Sequence, residues 1–146
     1  MALVYIAAPL GHAPLASALA RELRGWGHSI TSRWHDAIAP LRPRVDPIQE
    51  VVRFTVLANN LVDLTRADCV VALLHRGKPK ATLCEVGWAL ARQKPVIWFH
   101  DDRPRTRNVF DSHGLVLRRE APRRRRALFR AAVGVLHELY APGARA

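Results

Sequence analysis

Cys69-Val-Val-Ala-Leu-Leu74 is a run of six apolar residues with no polar interruption. A strand with one wet face alternates in polarity. An unbroken run this short marks a strand buried on both faces, as in a parallel sheet covered by helices on either side. The flanks agree. Upstream, Asp46, Pro47 and Gln49 supply an N-cap, a first-turn proline and an N3 glutamine, so the spacing predicts a helix over 47–66. Downstream, Thr82-Leu-Cys-Glu85 opens a helix to about Arg92, and Lys94-Pro95 leads into a second apolar strand, Val96–Phe99.

Toward the N-terminus, residues 2–8 (Ala-Leu-Val-Tyr-Ile-Ala-Ala) repeat the buried-strand pattern and end at Pro9 and Gly11. Pro14 suits the first turn of a helix reaching Trp26, with Leu15, Leu19 and Leu23 spaced by four and Gly25 and Gly27 closing it. A second strand is expected over 28–34, then a loop over 35–45. Beyond Phe99, 101–113 reads as irregular, 115–118 as a weaker strand and 123–140 as a closing helix. Strands alternating with helices, joined by right-handed crossovers, predict one α/β domain over 1–146. It is a three-layer αβα, doubly wound parallel sheet of about five strands, Rossmann-like or flavodoxin-like. Ligands in such sheets bind beyond the carboxyl ends of the strands. The segments 8–13, 34–46, 75–82 and 100–113 reach that edge.

At 146 residues and 49% hydrophobic, the chain has the size of a single domain. No apolar run approaches the roughly 20 residues needed to cross a bilayer, and Met1 leads into a strand without a basic n-region, so a soluble cytoplasmic protein is expected. Cys69 and Cys84 form no CxxC, which fits a reducing compartment. The 23 Lys+Arg against 12 Asp+Glu give a net charge of +11. Seven arginines between Arg118 and Arg130 face only Glu120 there, a local +6. Such a run reads first as a solvated helix face and second as a phosphate-binding surface.

Several chemistries drop out. There is no GxGxxG after the first strand, no GxxxxGK[ST], no GxSxG and no HExxH, and the seven histidines show no ligand spacing, so neither a metal nor an organic cofactor is expected. What remains is polar residues at strand ends: Tyr5, His12, Arg33, Asp36, Asn59, Asn60, Asp63, Asp68, Thr82 and Glu85. Asp63-Leu-Thr-Arg-Ala-Asp68, the strand 69–74, Ala81-Thr-Leu-Cys-Glu85-Val-Gly-Trp-Ala-Leu-Ala91 and Lys94-Pro-Val resemble the core signature of nucleoside 2-deoxyribosyltransferases and of the related deoxynucleoside monophosphate N-glycosidases and CMP hydrolases. Val4-Tyr5-Ile-Ala-Ala-Pro9 and Ser32-Arg33-Trp34 resemble the same group. The E-x-G-x-A-x-A segment at 85–91 is the most specific part.

The resemblance implies that Glu85 attacks C1' of a sugar, forming a glycosyl ester resolved by a second base or by water. It implies that Tyr5 orients that carboxylate, and that the chain forms a homo-oligomer. Read locally, Thr82-x-x-Glu85 is also a capping box and Tyr5 a core tyrosine. The family's aspartate eight residues before Asp68 is here Asn60, which can hydrogen-bond a base but cannot protonate it. The family's residues six and four before the nucleophile are here Pro79 and Ala81. Asp63 and Asp36 are the candidate replacement acids. Pro9, Gly11 and His12 run into a helix N-terminus suited to a 5'-phosphate, with Arg33 near. Trp34 and His35 could stack on the base, and Asn60 and Thr82 contact substrate. The first reading is therefore an enzyme that cleaves or transfers the N-glycosidic bond of a (deoxy)nucleoside or its 5'-monophosphate. The alternatives are an inactive nucleotide-binding module of the same fold, and a nucleic-acid partner using Arg118–Arg130.

Overall fold

A computed structural model describes residues 1–38, 50–74, 80–100, 110 and 113–140. In chain order the elements are β1 (Leu3–Ala7), a 3-10 turn (Leu10–His12), α1 (Ala13–Gly25), β2 (Ser29–Ile30), α2 (Trp34–Ile38), α3 (Glu50–Arg66), β3 (Cys69–Leu73), α4 (Lys80–Ala91), β4 (Val96–His100), β5 (Val116–Glu120) and α5 (Arg125–Tyr140). The expected helix start at Asp46, Pro47 and Gln49, most of the 35–45 loop, Pro79 and the segment 101–109 lie outside the described residues.

All five strands are parallel, in the order β2-β1-β3-β4-β5. The chain steps from β1 outward to β2, then returns past β1 to β3, so the order reverses between β1 and β3. Right-handed crossovers put α1 on one face and α3 and α4 on the other, in keeping with the contacts α3 makes with α4, and α5, which follows the last strand, packs against α1. β3 and β4 are buried at every position, as their unbroken apolar runs require. The core packs Tyr5, Ile6, Leu19, Trp98, Phe99 and Leu136 without solvent contact. Paired residues in register face the same side of a sheet. Tyr5, Val70 and Val96 share one side, and counting by twos along β4 puts Trp98 and His100 there as well.

Strand two departs from expectation. It was expected over 28–34, yet only Ser29 and Ile30 pair, because the side chain of Ser32 replaces a backbone partner. Ser32 Oγ accepts from Ile6 N–H at 3.1 Å, after Thr31 N–H has bonded Val4 O at 2.9 Å. The chain then turns into α2, with the Asp36 and Ala37 amides returning to Arg33 O. Lys94 holds the far end of α3, its Nζ donating to Thr65 O at 2.9 Å and also to Ala67 O. A cation on the last carbonyls of a helix is placed where the dipole favours it. Asp68 is tied to β1, its amide donating to Leu3 O at 2.7 Å and its Oδ2 accepting from Leu3 N–H at 2.8 Å.

Candidate active site

Tyr5 stands on β1 and Glu85 on α4, 80 residues apart in sequence, and they meet under the helix: Tyr5 Oη donates to Glu85 Oε1 at 2.6 Å. Asn60 of α3 approaches the same oxygen, Nδ2 to Oε1 3.5 Å. Both contacts fall on Oε1, so Oε2 has no hydrogen-bond partner among the described residues. Burial pushes the Glu85 carboxyl up to about 7, against the opposing pull of the Tyr5 hydrogen bond. Burial also drives the Tyr5 phenol far above its ordinary value, with the charge of Glu85 adding to it. The phenol therefore stays a donor throughout the working pH range.

The capping-box alternative does not form. α4 begins at Lys80, two residues before Thr82, so Thr82 lies inside the first turn and is not the cap. Its hydroxyl is buried without a partner, and so is Asn60 Oδ1. Thr82 and Glu85, three apart, share one helix face. The site thus holds a carboxylate with one oxygen unpartnered among the described residues, and two neighbouring polar groups whose hydrogen-bonding capacity is unspent. Two residues past Glu85, a Cβ on Gly87 would lie 3.1 Å from Phe110 Cζ. The glycine of the E-x-G motif is thus where the Phe110 ring comes down on the helix.

A second cluster sits one helical turn along α3. Asp63 is 2% exposed, and both its oxygens accept from Arg33 Nε at 3.0 Å, with Nη2 to Oδ1 at 2.8 Å. Nη2 also reaches Asn59 Oδ1 at 3.4 Å. The Asp63 hydrogen bonds raise the Arg33 pKa. A buried carboxylate thus holds a guanidinium whose side chain is 62% exposed. Asp63 is engaged as an anchor for Arg33, and no hydrogen bond joins it to Glu85 among the described residues.

Pro9, Gly11 and His12 lie beyond the carboxyl end of β1, where His12 N–H closes on Pro9 O at 2.8 Å and α1 starts without a side-chain cap. Gly11 is exposed, with nothing within 4 Å of a Cβ built there.

Two expectations are overturned. Trp34 and His35 are no stacking platform: Trp34 is 5% exposed with Nε1 donating to Ile6 O at 2.9 Å, and His35 is fully buried between Ser32 Oγ at 3.1 Å and Asp36 Oδ1 at 3.0 Å. Once strand two gives way to α2, these rings pack inward onto β1. Nor is Asp36 a raised acid. Burial pushes its carboxyl up, but the hydrogen bonds from Ser17 (2.6 Å) and His35 and the nearby charges of His35 and Arg24 outweigh that and hold it below its ordinary value.

His100, at the end of β4 on the Tyr5 side of the sheet, was not singled out from the sequence. It is buried with Nδ1 unpartnered, and counting alternate residues from Val96 is the signal that finds it. Among the described residues no group of three His, Cys, Asp or Glu is placed to hold a metal, and no helix is long and apolar enough to cross a membrane.

The sequence model of one family, nucleoside 2-deoxyribosyltransferase, matches residues 4–119. Among solved structures, CMP N-glycosidase BcmB of Clostridium botulinum is similar at 14% identity and TM-score 0.60, covering 90% of this chain and 98% of that one. A 2-deoxyribosyltransferase of the psychrotolerant bacterium Bacillus psychrosaccharolyticus is 24% identical over 66% of this chain and 71% of that one, at TM-score 0.48. No curated protein matches the chain significantly.

Proposed function

This chain belongs to the nucleoside 2-deoxyribosyltransferase family, and from that premise we propose that it breaks the N-glycosidic bond of a deoxynucleoside or its 5'-monophosphate through a glycosyl ester on Glu85. The observation that carries the reading is the 2.6 Å hydrogen bond from Tyr5 to Glu85. It holds a desolvated carboxylate by one oxygen and, among the described residues, leaves the second without a partner. In the first step Oε2 bonds to C1' while the C1'–N bond breaks, its electron pair leaving with the base, which takes up a proton from solvent. In the second, water or another base attacks C1' and gives up a proton to solvent as the C1'–Oε2 bond breaks and frees the carboxylate, giving net retention. Burial makes this carboxylate a stronger nucleophile once ionised, since little water need be stripped from it. Asn60 and Thr82 contact the sugar or base with the groups they leave unpaired.

Arg33 favours a 5'-monophosphate over a free nucleoside. Its guanidinium is fixed by buried Asp63 one turn from Asn60, yet remains open to solvent, which suits an anion delivered with the substrate. The uncapped start of α1 offers further N–H groups, less the one that Pro14 lacks. A homo-oligomer belongs to this proposal and is read by light scattering.

Liquid chromatography of free base, after incubation with a panel of deoxynucleosides and their monophosphates, tests the reading. Base release that disappears in Glu85→Gln supports it, and release undiminished in that variant overturns it. A second base added to the incubation separates transfer from hydrolysis. One observation favours the inactive-module alternative: no acid stands at Asn60. Nucleotide binding without any base release would establish that reading instead.

A further inference from the structure

The sheet face opposite the site carries a surface the reaction does not use. Between α1 and α5 lies a groove of about 480 Å³ lined by Arg21, Glu22, Trp26, Arg125 and Phe129. Trp26 is 56% exposed. Its Nε1 donates to Glu22 Oε1 at 3.3 Å, which steadies the indole and occupies the carboxylate in the lining. Arg125 sits with Cζ 5.2 Å from the Phe129 ring. From there Arg123, Arg124, Arg126 and Arg130 continue the positive surface, all exposed, and none is paired with a carboxylate among the described residues.

The placement is costly to the free protein. α5 has no acidic residue in its first turn, so neighbouring cations crowd the positive end of the helix dipole and repel one another. A polyanion lying along the surface removes that cost. The exposed indole narrows the class further, because an aromatic platform beside guanidinium forks suits a strand whose bases are free to stack while its phosphates bind arginine. A duplex keeps its bases inside, and an acidic peptide has no base to offer.

We infer that the α1/α5 face binds single-stranded nucleic acid, with Trp26 stacking on a base and Arg21 and Arg123–Arg126 contacting phosphates. Anisotropy of labelled oligo-dT tests it. If four phosphates are neutralised, affinity falls roughly 50-fold between 50 and 200 mM salt, from a slope of about −0.7 per contact on single strands. Replacing Arg123, Arg124, Arg125 and Arg126 together by Gln flattens that dependence. Trp26→Ala weakens binding at every salt concentration and leaves the slope unchanged. Base release from mononucleotides is unaffected in both variants. Absence of binding at 50 mM salt, an unchanged slope in the quadruple variant, full binding by Trp26→Ala, or competition by polyglutamate equal to that by oligo-dT would each overturn the inference.

Discussion

Replacing Glu85 by Gln removes the charge and keeps the shape: the amide oxygen can still accept from Tyr5, while the amide nitrogen takes the place of Oε2. The stability change follows from the carboxyl being pushed up to about 7 from 4.5. A raised acid binds its proton more tightly in the folded state. Its contribution is fully present below the unfolded value near 4.5 and is lost as pH climbs through 7. At pH 8 the folded protein therefore carries an ionised, desolvated carboxylate at a cost of about 3.5 kcal/mol, from roughly 2.5 pKa units at about 1.4 kcal/mol each. Glu85→Gln is spared that cost. It should melt roughly 7–14 °C above the unmodified protein at pH 8, at about 2–4 °C per kcal/mol for a chain of this size, and within a degree or two of it at pH 4. Thermal melts followed by circular dichroism across that range provide the assay, with base release measured on the same samples. The expected variant is more stable and inactive. Equal melting temperatures at pH 8, or a gain that does not shrink with acid, would mean that Glu85 is well solvated and would refute the reasoning.

The same ionisation sets the activity profile of the unmodified enzyme: base release should rise with pH through about 7, and a rate that is flat between pH 6 and 8 would contradict it. Tyr5→Phe deletes the donor that favours the ionised carboxylate, so the limb should move to higher pH. The maximal rate should drop by roughly 10- to 150-fold, the worth of a hydrogen bond to a charged group; an unmoved limb would exclude the orienting role. Thr82→Val removes a buried hydroxyl with no partner, so the free protein should gain about 1 kcal/mol in urea unfolding while KM rises. A loss of stability would show that the hydroxyl is satisfied. Arg33→Met leaves buried Asp63 without its cation, so urea unfolding should show a loss of stability. KM should rise for monophosphates and stay level for free nucleosides, and equal effects on both would remove Arg33 from phosphate recognition.

The parts of the fold that hydrophobic burial dictates could be read directly. β3 and β4 follow from unbroken apolar runs, because residues buried on both faces cannot alternate. The pairing of Tyr5 with Glu85 was legible only through the resemblance, since 80 residues separate the two and no local period links them. Where side chains compete with backbone, the reading failed. Ser32 takes the Ile6 amide that a longer strand two would have bonded, and nothing in 28–34 distinguishes a serine that does so from one on a strand. That substitution starts α2 and turns Trp34 and His35 inward. The capping box at Thr82 failed for a simpler reason: the helix starts at Lys80, two residues earlier, which puts Thr82 inside its first turn. His100 stayed hidden because a lone histidine at a strand end has no spacing signal, and its significance depends on register.

The brevity of β2 has a consequence for how copies of this chain behave when crowded. An outer strand exposes a row of free amides and carbonyls on which another chain can zip, and length is what makes that template useful. Here one border of the sheet offers two residues, Ser29 and Ile30, before α2 curls away. The other border, β5, presents Arg118, Arg119 and Glu120, charged side chains that a second copy brought alongside would have to desolvate. Growth of the sheet from molecule to molecule is thereby discouraged at both margins.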